Sequence, residues 1–519
     1  MPASPATSRA TSWAGTTTRR SWAQRGARLA CWAVAGFFAV RALAFGSYVV
    51  DRFPTPFEAS FLEAKMVHLA WRVQHEVPLY PSWRTGPYVA NFFGPVYFLI
   101  VGWLGRLTGA DLDSLFPLAR IVTLGGTFGL TALVALVAWR KYGAGAGLIA
   151  ALASLGAQPL FGAGLMARPD ALADLFGLAG FCLALSRDRR IVGAGGVVLL
   201  LALFTKQTTA VYLAAAVIAN LVTGRKHAAI LLAGGVGVAA AVIVLVVGLT
   251  VAPEFGPSLL GESRTPWDLA AYQNLLQRVM LTCPDLIALT ILGLILWSRP
   301  SRRDSPLLVL TIVMTASCFL TALKKGAGFN YFLPLRGLEA LSAAALWSAA
   351  RTAENTKARW GIVGCLGVGL ALWLSTVAAL THAAIARSDR EFLNTWNGRA
   401  TLRQRADLNG RARDPAQALL TDCGRLDIQR GERTVFGDPW LFRLLATAGQ
   451  LDTRAMRQAA EGERYDWVAT TKPLDAPEYA AYEFGLPLEL AEAARRHYVL
   501  SDQEAGLFLY RPRGQPASP

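Results

Sequence analysis

Apolar runs that are long enough to enter a membrane recur along the chain from residue 29 to about residue 384. About twelve such runs can be counted, and short polar loops separate them. A segment in lipid must satisfy its own backbone hydrogen bonds, so each run predicts a transmembrane helix. The composition agrees, because 53% of the residues are hydrophobic and only 17% are charged. We therefore predict a polytopic α-helical membrane protein.

Basic residues in the loops predict the orientation of these helices. Arg and Lys cluster in several short loops, which are expected on the cytoplasmic side: Arg140-Lys141, Arg187 to Arg190, Arg225-Lys226, Arg299 to Arg303 and Arg351 to Arg359. The topology requires one of the two runs between residues 93 and 138 not to cross fully, and the shorter run at 93–108 is the better choice. About 11 crossings result, with the N-terminus in the cytoplasm. The basic residues that produce the net charge of +16 therefore set the orientation of the helices in the membrane. They form no single-face patch of the kind that binds nucleic acid.

Three regions follow from the change in composition along the chain. Residues 1–28 contain mostly Ser, Thr, Ala and Arg, and we predict a disordered cytoplasmic tail. Residues 29–384 form the membrane domain, whose first run is expected to be an uncleaved signal anchor. Residues 385–519 are charged, with strand-like pieces at 418–421, 467–470 and 506–510 between helical stretches at 440–448 and 488–496. This pattern predicts a small external α/β domain, interpreted as a lid or an acceptor-docking domain.

The first external loop, residues 51–92, carries the most informative stretch. Its apolar residues alternate three and four apart from residue 58 to residue 73, which predicts an amphipathic helix on the membrane surface. The opposite face carries Glu58, Lys65 and Arg72 at seven-residue spacing. One carboxylate and two cations on this face are suited to handling a lipid phosphate and its attached group.

Charged and polar residues that topology does not explain gather on the external side. They are Glu58, the Arg168-Pro169-Asp170 junction, Lys206-Gln207, the polar stretch 253–273 and the stretch 326–331. Ionisable groups at membrane level are costly, so their collection on one side predicts a functional site there.

Each carboxylate also has an ordinary structural interpretation. Glu58 begins a helix, where the helix dipole favours a carboxylate, and the two interpretations are evenly balanced. Glu63 lies about 140° round the helix from Glu58, so the structural interpretation is favoured for it. Asp170 follows a proline at a helix start, whereas Asp174, one turn below, is harder to explain by helix geometry alone.

The cations leave two interpretations open as well. Lys206 and Arg168 either extend to the headgroups or bind a phosphate, and Gln207 adds a donor beside Lys206. No pair of the five histidines has metal-ligand spacing, so we predict no metal site from the residues, although the use of a divalent cation stays open. No phosphate-binding loop of the Walker type is present, which argues against an ATP-driven pump.

A series of short motifs resembles the GT-C-fold glycosyltransferases, which include protein O-mannosyltransferases, the lipid A aminoarabinose transferase and lipopolysaccharide-core sugar transferases. The motifs occur in the family's order over residues 29–384: Phe57-Glu58, Glu76-Val77-Pro78-Leu79-Tyr80, Phe93-Gly94-Pro95-Val96-Tyr97, Ala119-Arg120-Ile121-Val122, Ala167-Arg168-Pro169-Asp170, Phe204-Thr205-Lys206-Gln207 and Gly328-Phe329-Asn330-Tyr331-Phe332-Leu333. The sequence departs from many members in having Phe57 before the loop carboxylate.

This resemblance implies an inverting membrane glycosyltransferase of the bacterial inner membrane, with its C-terminal domain in the periplasm. The sugar would pass from a polyprenyl-phosphate donor to a lipid, glycan or protein acceptor. Glu58 would be the catalytic base. The donor phosphate and substrate would be bound by the remaining residues of the set: Lys65, Arg168, Asp170, Lys206, Gln207, Asn330 and Tyr331.

Two other functions stay open at the level of sequence. A transporter or flippase of a lipid-linked saccharide would use the same cationic rim, and Pro284-Asp285 inside an apolar run is a candidate helix break for it. A sensor with an external ligand-binding domain would need few polar residues in its membrane part. Convergence of the charged residues on one external cavity beside Glu58 would favour the transferase, and a path through the midplane of the membrane would favour the transporter.

Overall fold

The computed structural model describes residues 11–55, 62–82, 88–157, 164–260, 266–298, 305–352, 356–394 and 396–514. Helices dominate residues 11–413, where the apolar runs were predicted to span the membrane. In chain order, they are α1 (Thr11–Arg52), α2 (Leu62–Gln74), α3 (Val96–Thr108), α4 (Leu112–Tyr142), α5 (Ala144–Leu155), α6 (Asp170–Ala184), α7 (Arg189–Thr205), α8 (Ala210–Val222), α9 (Lys226–Thr250), α10 (Phe255–Leu259), α11 (Leu269–Thr282), α12 (Pro284–Trp297), α13 (Ser305–Thr321), α14 (Leu335–Thr352), α15 (Thr356–Asn394) and α16 (Trp396–Arg413).

Within the described ranges, four helices are long and apolar enough to cross a membrane: the Trp32–Arg52 part of α1, α4, α9, and the Val368–Glu391 part of α15. The pair α11 and α12 would make a fifth span, bent by 86° at the break between them. Four further apolar helices are shorter, and α3 is among them. The 13 residues of α3 reach about 20 Å at 1.5 Å per residue, short of the bilayer's apolar core. By length and composition the described residues thus give four or five spans, against the about 11 crossings predicted, because several of the predicted runs form shorter helices.

The N-terminal helix begins earlier than expected. We predicted residues 1–28 to be disordered, but α1 extends back to Thr11. Helix formation is cooperative, so the packed apolar part of α1 provides the nucleus from which the helix continues into its polar N-terminal stretch.

A buried ion pair fixes the bend between α11 and α12. Asp285, in the first turn of α12, accepts hydrogen bonds from Arg41 of α1 and from the Ser375 hydroxyl of α15. Arg41 and Asp285 are both almost fully buried, and Glu339 of α14 lies 3.9 Å from Arg41. Pairing offsets the cost of charges in this environment and ties four helices together.

The C-terminal part of the chain forms a small α/β unit around one sheet. Its strands have the order β1-β2-β4-β3, with β1 and β2 parallel and the other pairings antiparallel. The elements are β1 (Leu419–Thr421), α17 (Gly424–Ile428), α18 (Pro439–Thr447), α19 (Arg454–Glu461), β2 (Trp467–Thr470), α20 (Leu488–His497), β3 (Tyr498–Glu504) and β4 (Leu507–Pro512).

The sequence predicted β1, β2 and β4 and both of the expected helices near their observed positions, but it missed β3. Along β3 every residue from Val499 to Gln503 is exposed. An edge strand with two open faces lacks the apolar alternation on which strand prediction depends.

Candidate functional site

Asp170 is the centre of a buried polar cluster on the side predicted to be external. Its Oδ1 accepts a hydrogen bond from Lys206 Nζ at 2.7 Å and one from Asn330 Nδ2 at 3.2 Å. Its Oδ2 accepts from Arg168 Nε at 3.2 Å. The Lys206 ammonium also lies 5.3 Å from the centre of the Tyr331 ring. Five residues singled out in the sequence, from three distant segments, therefore meet at one place.

Local structure explains why these segments meet. Pro169 precedes α6 and fixes the backbone entering it, which places Asp170 in the first turn. Lys206 ends α7 in an extended conformation, so its side chain leaves the helix axis. Asn330 and Tyr331 lie on a short 3₁₀ helix, Phe329–Phe332. Each side chain thus projects from a helix end, where the backbone changes direction.

Asp174 extends the cluster one helical turn below Asp170. Its Oδ1 accepts a hydrogen bond from the Tyr212 hydroxyl at 3.3 Å, and it interacts electrostatically with the buried guanidinium of Arg336. A small cavity of about 20 Å³ beside these residues is lined by both carboxylates, Lys206, Thr208, Asn330 and Tyr331. Arg336 was not predicted, although an arginine just after the Phe329–Phe332 motif and within an apolar run could have indicated it.

The cluster carries a net positive charge that a phosphate can use. Arg168 and Lys206 contribute two positive charges against the one negative charge of Asp170. An ammonium has three N–H donors, and Asp170 takes one of those of Lys206. Asp170 thereby orients the two cations while leaving donors for a ligand.

Gln207 holds the backbone beside this cluster. Its Nε2 donates to the Phe92 carbonyl at 2.8 Å and, at 3.4 Å, to that of Leu259. Gly94 packs directly on the end of α7, and a Cβ there would lie 1.9 Å from the Phe204 carbonyl oxygen. The Gly-Pro motif and the Lys-Gln motif of the sequence are therefore two sides of one contact.

Lys65 lies in a different environment from the one expected. We predicted it on an open polar face, but most of α2 is buried and the Lys65 side chain is only 2% exposed. Its Nζ lies 3.2 Å from Asp438 Oδ2, and the rings of Phe92 and Phe93 lie about 6 Å away. The C-terminal unit covers this face, which an isolated helical pattern cannot reveal.

Asp438 is more than the turn residue predicted from the Gly437-Asp438-Pro439 sequence. It caps α18 by accepting the Leu441 N–H at 3.0 Å, and the same carboxylate binds Lys65. Two residues later, the Trp440 ring packs on Gly326, where a Cβ would lie 2.3 Å from the ring. The C-terminal unit thus contacts both α2 and the loop that leads to Asn330.

Glu58, the predicted catalytic base, lies outside the described residues, within the segment 56–61. The residues that flank this segment are firmly held. Arg120 donates to the carbonyls of Phe53 and Thr55 at 3.0 and 2.9 Å, and to both carboxylate oxygens of Glu63 at 3.1 and 2.9 Å. One buried guanidinium therefore binds the chain on both sides of the segment.

Glu63 connects this anchor to the polar cluster. Its Oε1 also accepts the Ala167 N–H at 2.8 Å, immediately before Arg168. Glu63 and Arg120 are at most 1% exposed. The structural interpretation favoured for Glu63 agrees with these contacts, whereas Arg120 was named only as part of the Ala119-Arg120-Ile121-Val122 motif, without a role. Its charge beside an apolar run was the available signal, because such a group needs a partner.

Among the side chains that the structure describes, no three His, Cys, Asp or Glu residues lie close enough together to hold a metal ion. Asp170 and Asp174 are the nearest pair of carboxylates to Lys206 within the cavity lining. The arrangement is suited to binding an anion, because its carboxylates hold cations in place.

Comparison with solved structures identifies the fold. ArnT from Cupriavidus metallidurans in the apo state matches with a TM-score of 0.55 at 13% identity, over 91% of this chain and 96% of ArnT. ArnT bound to undecaprenyl phosphate matches with a TM-score of 0.54 at 15% identity, over 92% and 98% of the two chains.

A more distant match is the oligosaccharyltransferase of Archaeoglobus fulgidus, tethered to an acceptor peptide. Its TM-score is 0.50 at 12% identity, over 89% of this chain and 72% of that enzyme. No family model matches the sequence. No curated protein matches it either. The likeness is therefore one of fold, and this chain has the GT-C fold of the membrane glycosyltransferases.

Proposed function

We propose that this chain, with its GT-C fold, is a membrane glycosyltransferase that takes a sugar from a polyprenyl-phosphate donor. The observation that carries the proposal is the Asp170 cluster, where Lys206 and Arg168 are held by a shared carboxylate next to a cavity. The match with ArnT bound to undecaprenyl phosphate supports the donor class. The location in a bacterial inner membrane, with the C-terminal unit in the periplasm, is part of this proposal.

The donor phosphate would bind between Lys206, Arg168 and Asn330, with the Tyr331 ring beside the ammonium. When the bond from the anomeric carbon to the phosphate oxygen breaks, the electron pair stays on the departing polyprenyl phosphate. Preorganised cations stabilise that developing charge without moving, because Asp170 already holds them. Gln207 and Lys65 position the neighbouring backbone and the C-terminal unit in this scheme, and do not bind the phosphate.

Glu58 would act as the base on the acceptor hydroxyl, which attacks the anomeric carbon from the opposite side and inverts it. The proton goes to the carboxylate, and the new bond forms as the phosphate leaves. Arg120 and Glu63 hold the flanking residues, so they would act as positioning residues for Glu58. The acceptor would be a lipid, glycan or protein on the external side of about 11 crossings.

The transporter alternative depended on a helix break near Pro284-Asp285. A break is present, but Asp285 is buried in contacts with Arg41 and Ser375. Among the charged residues singled out in the sequence, Asp170, Asp174 and Lys206 line one cavity, and Arg168 is bound to Asp170 beside it. Their meeting in one cluster supports a transferase, whereas the predicted convergence beside Glu58 falls outside the described residues.

The first test of the donor site is binding. Purified protein in detergent is titrated with polyprenyl phosphate and with the uncharged polyprenol, and retention is followed by native mass spectrometry. We expect the phosphate to bind at least tenfold more tightly, and Lys206→Met to remove that preference because it deletes one charge-assisted contact.

Lys325→Met is the matched control, since Lys325 is 35% exposed and lies 3.9 Å from Glu483. It should bind polyprenyl phosphate as the wild type does. Equal binding of the phosphate and the alcohol by the wild type, or unchanged selectivity in folded Lys206→Met, would argue against the proposed donor site.

A further inference from the structure

A groove lies along the junction between α1 and α15. Its volume is about 470 Å³, within the range of small-molecule sites. One face of each helix lines it, from Val40 to Ser47 of α1 and from Leu380 to Glu391 of α15. Leu43 and Leu380 in this lining are 75% and 48% exposed, so the groove opens away from the protein interior. Because both helices are candidate membrane spans, its open side faces lipid.

The length and direction of the groove fit one leaflet of a membrane. The two helices run parallel, since Ala44 and Ala383 pack in one cluster and Asp51 binds Arg390 two helical turns further along both helices. From Leu380 to Glu391 the axis of α15 rises about 16 Å at 1.5 Å per residue. The apolar core of a bilayer is about 30 Å thick, so one leaflet supplies about half of that. The candidate span of α15 ends with this stretch, which lies in the external leaflet in the predicted topology.

Arg387 lies near the external end of the groove and has donors available for a ligand. Its Nε lies 3.8 Å from Asp51 Oδ2, which is longer than a hydrogen bond. Asp51 is bound more closely by Arg390 at 3.0 Å and by the Ser47 hydroxyl at 3.3 Å. The Arg387 side chain is 65% exposed and donates no hydrogen bond to a described residue. A guanidinium presents its N–H donors in a fixed fork, a geometry suited to phosphate oxygens.

Glu391 lies one helical turn beyond Arg387 and is also open to a ligand. Arg52 and Asp389 nearby bind each other. Glu391, in contrast, makes no ion pair with Arg387 or with any other described residue. The backbone rises about 6 Å between the two residues, with Arg387 nearer the centre of the membrane. The groove therefore ends in a cation that is followed, farther out, by a carboxylate.

We propose that this groove binds a phospholipid of the external leaflet whose head group carries a primary ammonium beyond the phosphate, as in phosphatidylethanolamine. The order of charges in such a head group complements that of the groove, because the phosphate adjoins the glycerol and the ammonium lies beyond it. The phosphate accepts hydrogen bonds from Arg387, the ammonium donates to Glu391, and one acyl chain lies along Leu43 and Leu380. None of these residues belongs to the Asp170 cluster, so the lipid site is separate from the proposed donor site.

The experiment compares lipids that differ only in the head group. Wild-type protein in a neutral detergent is incubated with equal amounts of phosphatidylethanolamine and phosphatidylglycerol of the same acyl chains, and native mass spectrometry gives the bound fraction of each. Phosphatidylglycerol keeps the phosphate but lacks the ammonium. An exposed ion pair contributes modestly, so we expect phosphatidylethanolamine to be retained about two- to fivefold more. The diacylglycerol of the same chains also lacks the phosphate and should be retained least.

Three variants test the residues that line the groove. Glu391→Gln should retain the two phospholipids equally because its amide carries no charge, whereas Glu489→Gln, at an exposed carboxylate of α20, should keep the wild-type preference. Arg387→Gln should lower the retention of both phospholipids toward that of diacylglycerol, whereas Arg454→Gln, at an exposed guanidinium of the C-terminal unit, should not. Ala384→Leu places a larger side chain in the groove and should lower the retention of all three lipids.

Several results would overturn the proposal. Equal retention of the two phospholipids by the wild type, or stronger retention of phosphatidylglycerol, would mean that Glu391 does not bind an ammonium. An unchanged preference in folded Glu391→Gln, or wild-type retention in folded Ala384→Leu, would place the bound lipid elsewhere. Protein dimers that form without lipid and are lost in Ala384→Leu would assign the groove to a second copy of the chain.

Discussion

The anchor formed by Arg120 and Glu63 gives the sharpest test of the structural argument. Glu63→Gln keeps the volume of the side chain but removes a buried carboxylate that accepts two hydrogen bonds from Arg120, and both groups are at most 1% exposed. Removing one partner of such a pair costs about 3–5 kcal/mol. The melting shift per kcal/mol falls with chain length, to about 1–2 °C for a protein of this size. The melting temperature should therefore fall by about 3–10 °C.

The assay is thermal unfolding of purified protein in detergent, with sugar transfer measured alongside. The double variant Glu63→Gln with Arg120→Met removes both members of the ion pair, so its loss should be smaller than the sum of the two single losses, with a coupling of about 0.5–3 kcal/mol. A single variant that melts within about 1 °C of the wild type, or a double variant whose loss is the sum of both single losses, would refute the anchor.

Three further predictions concern the supports of the site. Gly94→Ala should lower the free energy of unfolding by about 1–3 kcal/mol and reduce sugar transfer, because its Cβ would meet the Phe204 carbonyl. Gly125 has open space around it, so Gly125→Ala should melt at the wild-type temperature. Lys65→Met should leave Asp438 buried without its cation and raise hydrogen exchange in α18. Burial raises the pKa of Asp422 to about 7, so its folded form holds a proton that the unfolded form releases above about pH 4. The free energy of unfolding should therefore fall by about 1.4 kcal/mol per pH unit as the pH rises from about 4 to about 7. Asp422→Asn should remove this pH dependence.

Each of these predictions has a result that contradicts it. If Gly94→Ala melts like Gly125→Ala, the contact between the Gly-Pro turn and the end of α7 is absent. If hydrogen exchange in α18 is the same in Lys65→Met, in the control variant Lys325→Met and in the wild type, the Lys65 ion pair does not hold the C-terminal unit. An Asp422→Asn variant with the wild-type pH slope would assign that slope to another group.

Much of the polar cluster could be predicted because charged side chains at membrane level are energetically costly and therefore rare. Arg168, Asp170 and Lys206 stood out since no topological rule required them, and the assignment of loops to one side placed them near each other. Asn330 and Tyr331 came from the external stretch 326–331 and from the order of motifs in the GT-C resemblance. The sequence did not show that Asp170 would accept hydrogen bonds from Arg168, Lys206 and Asn330 together, because that depends on how three helix ends pack.

The errors share a cause in tertiary packing. The helical pattern of α2 suggested an open face for Lys65, but a separate unit more than 350 residues away in the chain supplies Asp438 against it. The role of Arg120 was missed for the same reason, since its partners Thr55 and Glu63 come from a distant segment of the chain. Strand β3 was not predicted because both of its faces are exposed, and strand prediction depends on the alternation of apolar and polar residues that a buried face imposes.

We propose that a carboxylate in the first external loop drives sugar transfer from a polyprenyl-phosphate donor. To test this, wild type and Glu58→Gln are incubated with polyprenyl-phosphate donors carrying radiolabelled sugars and with membrane acceptors, and both the labelled product and the released polyprenyl phosphate are followed. The wild type should form equal amounts of the two products, and Glu58→Gln should lose transfer by at least about 100-fold. Full transfer by folded Glu58→Gln, or no transfer by folded wild type from any donor, would contradict it.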